Sequence, residues 1–89
     1  MEPLIVLEKA SEIIKLANED YIEFANEYQE GLIGMGEREV DFALYAIDLS
    51  DDYLLVILAS DYSVDDFEIK SKHVQKKLLS DKMLEILYP

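Results

Sequence analysis

Tyr53-Leu54-Leu55-Val56-Ile57-Leu58-Ala59 is a run of seven consecutive apolar residues, and it constrains the fold more than any other stretch. A bilayer span needs about 20 such residues, so the run is not a membrane helix. Short, continuous and flanked by Asp51-Asp52 and Ser60-Asp61, it reads as a β-strand buried on both faces. Ahead of it Val40, Phe42, Leu44 and Ala46 alternate with Asp41, Ala43 and Tyr45. The polar cluster Asp48-Leu49-Ser50-Asp51-Asp52 between the two has turn chemistry. The two segments predict a β-hairpin. A helical alternative exists, because Val40, Leu44 and Ile47 also fall on one helical face, and it would make the chain all-α.

Before the hairpin, Gly31, Gly34 and Gly36 mark the clearest break in the chain. Upstream of them Leu7, Ala10, Ile14, Ala17, Tyr21, Phe24 and Tyr28 recur at alternating spacings of three and four, with Ile13 and Leu16 widening the stripe. One helix over residues 3–30 would be about 42 Å long. A globule of this size is about 30 Å across. The helix is therefore expected to break or kink, and Asn18-Glu19-Asp20 supplies capping residues for it. After the hairpin, Ser63 with Asp65 and Asp66 resembles a helix start, and Val64, Phe67, Ser71, Val74 and Leu78 make a stripe. Ser80-Asp81 could restart a last helix carrying Met83, Leu84, Ile86 and Leu87. The expected architecture is α+β over one domain, residues 1–89: an N-terminal helix or helix pair, a central hairpin and C-terminal helices.

The chain lacks cysteine, which removes disulfides and thiolate metal sites. Its start, Met1-Glu2-Pro3-Leu4, has no basic segment of the signal-peptide kind, and a cytoplasmic location is expected, with no membrane partner. The formal net charge is −12. Its distribution is uneven: residues 1–69 hold eighteen acids and three bases, while residues 70–89 hold five lysines and two acids. Nucleic-acid binding requires a cationic surface that displaces counterions. Only Lys70 to Lys82 offers one, so direct binding of DNA or RNA is not expected.

Little points to catalysis. His73 is the one histidine, it sits among lysines, and it reads as a solvated helix residue rather than a general base. The serines beside aspartates read as caps and turns. The clusters Asp48, Asp51, Asp52 and Asp61, Asp65, Asp66 have the oxygen chemistry of a hard cation but not the EF-hand spacing. A strand between them would hold them about 20–25 Å apart. They read as two solvated turns, and no metal or cofactor is expected. The glycines do not match a phosphate-binding loop, and Asp48-Leu49-Ser50 lacks the Asp-Ser-Leu order of an acyl carrier protein.

The first helical region carries the functional expectation. Glu19, Glu23, Glu27 and Glu30 follow at spacings of four, four and three, Glu8 and Glu12 make a similar pair, and residues 16–37 contain no base. Like charges so placed destabilise a helix by about 0.2–0.5 kcal/mol per pair. They lie about 6 Å apart, near the spacing of phosphates on a nucleic-acid strand. The expected role is an acidic protein-binding module. It would act as an inhibitor, imitating DNA to occupy the nucleic-acid-binding surface of a basic protein. Glu12, Glu19, Glu23, Glu27 and Glu30 would make the contact. Tyr45 and Tyr62 are the tyrosines expected at the surface and would join them. The alternative is an assembly module that pairs or forms a homodimer through its N-terminal apolar stripe. A solvated acidic face that serves solubility alone is the plain reading of the same residues.

Overall fold

The fold is given by a computed structural model, which describes residues 3–37 and 41–73. Two helices open it, α1 (Pro3–Glu19) and α2 (Tyr21–Glu27). The expected break falls on Asp20, whose backbone leaves the helical region at φ −148° and ψ 76°. Its carboxylate caps α2 by accepting the Glu23 backbone N–H at 3.2 Å. A single 3-10 turn, Gln29–Gly31, then leads into the sheet.

The buried face of α1 is Val6, Ala10, Ile13 and Ala17. The predicted stripe is thus turned by one residue on its flank: Leu7 is 53% exposed and Ile14 only half-buried. Both sets have helical spacing and share Ala10 and Ala17. The surface beneath the helix decides between them, and the two alanines let that surface come close.

Four strands follow in an antiparallel meander of order β1-β2-β3-β4: β1 (Leu32–Glu37), β2 (Asp41–Asp48), β3 (Tyr53–Ser60) and β4 (Ser63–Ser71). The predicted hairpin is β2–β3, with Tyr45 opposite Ile57 and Ile47 opposite Leu55. In its turn Ser50 Oγ accepts the N–H groups of Asp52 and Tyr53, both at 3.2 Å. The sheet has more strands than predicted. Residues 63–71 form β4, not the start of a helix, and His73 lies in the turn beyond it. Ser63 is no helix cap. It closes a two-residue turn, Asp61-Tyr62, whose φ angles of 49° and 64° are both left-handed, the signature of a tight hairpin. The rest of the expected C-terminal helices, residues 74–89, lies outside the described residues, as does Val40.

β1 occupies the glycine segment. A Cβ on Gly31 would stand 2.8 Å from the Ala46 carbonyl oxygen. One on Gly36 would stand 2.5 Å from the Phe42 ring, which lies over the glycine from the paired position on β2. At Gly31 the close approach of backbone requires glycine, while at Gly36 a side chain would have to displace the Phe42 ring.

The helices cover one face of the sheet. α1 begins near the β2–β3 turn, where Lys9 Nζ donates to the Leu49 carbonyl at 3.4 Å. It ends near the β3–β4 turn, where Asn18 Oδ1 accepts the Val64 N–H at 3.0 Å. α2 then runs back over β2. Between the helices and the sheet lie Phe24 from α2 and Tyr45, Ile47, Leu55, Ile57 and Ala59 from the strands. Phe24 is wholly buried, contributing about 2–3 kcal/mol by burial, and its ring meets those of Tyr21, Tyr28 and Tyr45 at 5.7, 5.4 and 4.8 Å. On the other face Leu44, Val56 and Leu58 form a second buried cluster with Phe42 and Leu54 beside it. β3 is buried on both faces, as its unbroken apolar run requires.

Candidate protein-binding face

The outer side of the helical layer is dominated by carboxylates. Glu8, Glu12 and Glu19 on α1, Glu23 and Glu27 on α2, and Glu30 in the 3-10 turn are all exposed. The break at Asp20 interrupts the repeat expected of Glu19, Glu23, Glu27 and Glu30: Glu19 closes one helix and the other three belong to the next segment. The structure adds a convergence that linear spacing hides. Burial first, then the charges of Glu27 and Glu12, push the Tyr28 hydroxyl above its ordinary value of 10.0, so acids from both helices flank one phenol.

Two bases stand on α1: Lys9, directed to the Leu49 carbonyl, and Lys15, exposed between Glu12 and Glu19; α2 has none. Among the described residues Lys70–Glu68 at 3.6 Å and Lys72–Asp48 at 2.9 Å pair oppositely charged groups, and the His73 ring hydrogen-bonds Asp52 at 2.8 Å, all at β4 or just after it. None neutralises a helical acid. Where the 3-10 turn meets β2, an open depression of about 310 Å³ is lined by Glu27, Tyr28, Glu30, Gly31, Ala46, Ile47 and Asp48. Its exposed lining is mostly polar, with the carboxylates of Glu27, Glu30 and Asp48 around it, which suits the cationic head of a lysine or arginine.

The two surface tyrosines of the sequence reading part ways. Tyr45 is only 3% exposed: its ring lies edge-on to Phe24, and its hydroxyl is 3.5 Å from that of Tyr21. It belongs to the core, because its strand position faces the helices. Burial and the Tyr45 hydroxyl raise the Tyr21 pKa above 10.0. Tyr62 is 69% exposed and holds a left-handed φ of 64° while touching Tyr21 edge-on at 5.7 Å. A left-handed φ costs a non-glycine residue about 1–2 kcal/mol. Ile22, 66% exposed and next to Tyr21, was missed in the sequence. Its signal is present, since it is apolar and off the stripe of Tyr21, Phe24 and Tyr28.

The aspartate clusters stand at opposite ends of β3, as the hairpin requires. Among the described residues no grouping of three or more His, Asp or Glu could hold a metal ion. No helix among them is long and apolar enough to cross a membrane. Compared with family models, with curated proteins and with solved structures, the chain has no match.

Proposed function

We propose that this protein is an acidic binding module that presents its helical layer to a basic protein and so occupies that partner's nucleic-acid-binding surface. The supporting observation is the set Glu12, Glu19, Glu23, Glu27 and Glu30, exposed together and without ion pairs among the described residues. Tyr62 and Ile22 add the apolar anchors that charge alone lacks, and the depression between Glu27 and Asp48 offers a seat for one cationic side chain. Charge of this density steers association and makes it fall with salt. No catalytic step is assigned to it.

The test is capture of partners by the immobilised protein at roughly 50 mM and roughly 500 mM salt. Retention at low salt, release at high salt, and loss in the double variant Glu23→Lys/Glu27→Lys are expected. Equal retention at both salts, or by the folded double variant, would sink the proposal.

The alternative, self-association through the N-terminal helix, draws support from Leu4, Ile5 and Leu7, which are exposed at the start of α1. The stripe it relied on is otherwise spent on the sheet. Sedimentation at micromolar concentration decides: a monomer eliminates this reading.

A further inference from the structure

β1 is an outermost strand of the sheet, and among the described residues nothing pairs with its free edge. Unpaired N–H and C=O groups on such an edge invite another strand, and charge is the usual defence. In a chain of net charge −12, residues 31–36 carry no charge, and Ile33 and Met35 are 48% and 74% exposed. Gly34 sharpens the point. Gly31 and Gly36 answer to neighbours in their own chain, but a Cβ on Gly34 would meet only the Leu44 Cβ, at an ordinary 4.0 Å. The bulge at Ile33 does not demand glycine there either, because no glycine among the described residues has a left-handed φ. A strand glycine with no internal reason marks the close approach of something from outside.

The register identifies the visitor as the same strand of a second copy. Met35 pairs with Ala43 on the face that the helices cover, while Gly34 and Gly36 pair with Leu44 and Phe42 on the other. When two β1 strands lie antiparallel with Met35 opposite its own copy, Gly34 of each stands opposite Gly36 of the other. The Phe42 ring rests on Gly36 with Cζ foremost, so it points across β1 toward the free edge. The residue it meets there must be small, and Gly34 is. The exposed methionines meet on the two-fold axis, an apolar pair with no like charges opposed. A basic strand would find no acid in residues 31–36 to answer it. An uncharged strand with glycine at the right place fits, and β1 is such a strand.

We propose that two copies of this protein associate through β1, antiparallel and centred on Met35, joining their four-stranded sheets into one. The axis of such a pair stands perpendicular to the sheet, so both helical layers lie on one side and their carboxylates repel. Salt therefore strengthens the dimer, the opposite of its effect on capture of a basic partner. The contact is small and the dimer accordingly weak. Sedimentation equilibrium of the whole protein up to about 1 mM, at roughly 50 mM and roughly 500 mM salt, tests it. A dimer that tightens at the higher salt is expected. Gly34→Ala, which the single chain accommodates, should weaken it by about tenfold or more, and Met35→Lys should abolish it. Leu7→Lys on α1 should leave it intact. A monomer at about 1 mM overturns the proposal. So does a dimer that loosens with salt, or one unchanged in Gly34→Ala or Met35→Lys. Loss in Leu7→Lys also overturns it and assigns self-association to α1. The native chain has no cysteine, so Met35→Cys reads the register separately. It should crosslink between copies about tenfold faster than Ile22→Cys, which is similarly exposed, and equal rates overturn the pairing.

Discussion

Tyr62 and Asp61 show how a single residue can set stability and display against each other. A left-handed φ favours glycine at the second position of such a turn, and Tyr62 occupies it. Tyr62→Gly relieves the backbone but loses the edge-on contact with Tyr21, which is weak for a ring so exposed. A net gain of up to about 1 kcal/mol is expected in urea denaturation. Tyr62→Ala loses the contact and keeps the strain, so a loss of about 0.5–1 kcal/mol is expected. If the proposed function holds, both variants bind a basic partner more weakly than the wild type in the same salt-dependent capture. Phe24 is the opposite case, since it is wholly buried among Tyr21, Tyr28 and Tyr45. Phe24→Ala should cost about 3–5 kcal/mol, measured the same way, most of what a domain this small possesses.

At the scale of elements, Gly36 makes a prediction about order within the sheet. Gly36→Ala would drive a methyl into the Phe42 ring. Hydrogen exchange should show β1 losing protection while β3 keeps it, with a global cost of about 1–3 kcal/mol. The same strands show what could be read in advance. The hairpin and its doubly buried second strand were legible, because Tyr53–Ala59 is unbroken and Ser50 supplies turn chemistry. The break at Asp20 was legible from length and capping. β4 was not, and a bulge is the reason. Ala59 pairs with Val64 and Leu58 with Asp66, so Asp65 is an extra residue. Val64 and Phe67 thereby come to one face at a spacing of three, which in sequence mimics a helix. β1 was hidden by glycines whose value lies in contacts with Ala46 and Phe42 far along the chain. Of the candidate face, the acids were legible because charge seeks solvent. The burial of Tyr45 and the exposure of Ile22 were not, since each depends on how α2 rests on β2.

The whole molecule carries its charge as a cost to folding. With a net charge of −12, self-repulsion should ease as salt rises, and Tm should increase between low and moderate ionic strength while partner affinity falls. Alkali acts on the aromatic layer. The raised pKa values of Tyr21 and Tyr28 mean that folding favours their neutral forms. That contribution is whole below the ordinary tyrosine value of 10.0 and is lost as pH climbs toward the raised folded values. Melting temperature should therefore fall above pH 10.0, with the slowest phenolate absorbance appearing together with unfolding. The two margins of the sheet are unlike. β4 carries Asp65, Asp66, Glu68 and Lys70 and is kinked by its bulge, whereas β1 is nearly uncharged and leaves Ile33 and Met35 in the open. Among the described residues only the bare β1 margin, and not the guarded β4 one, is suited to adding a further strand, which disfavours open-ended growth strand by strand. If two bare margins join, the outermost strands of the pair are both the guarded kind, and growth stops at two.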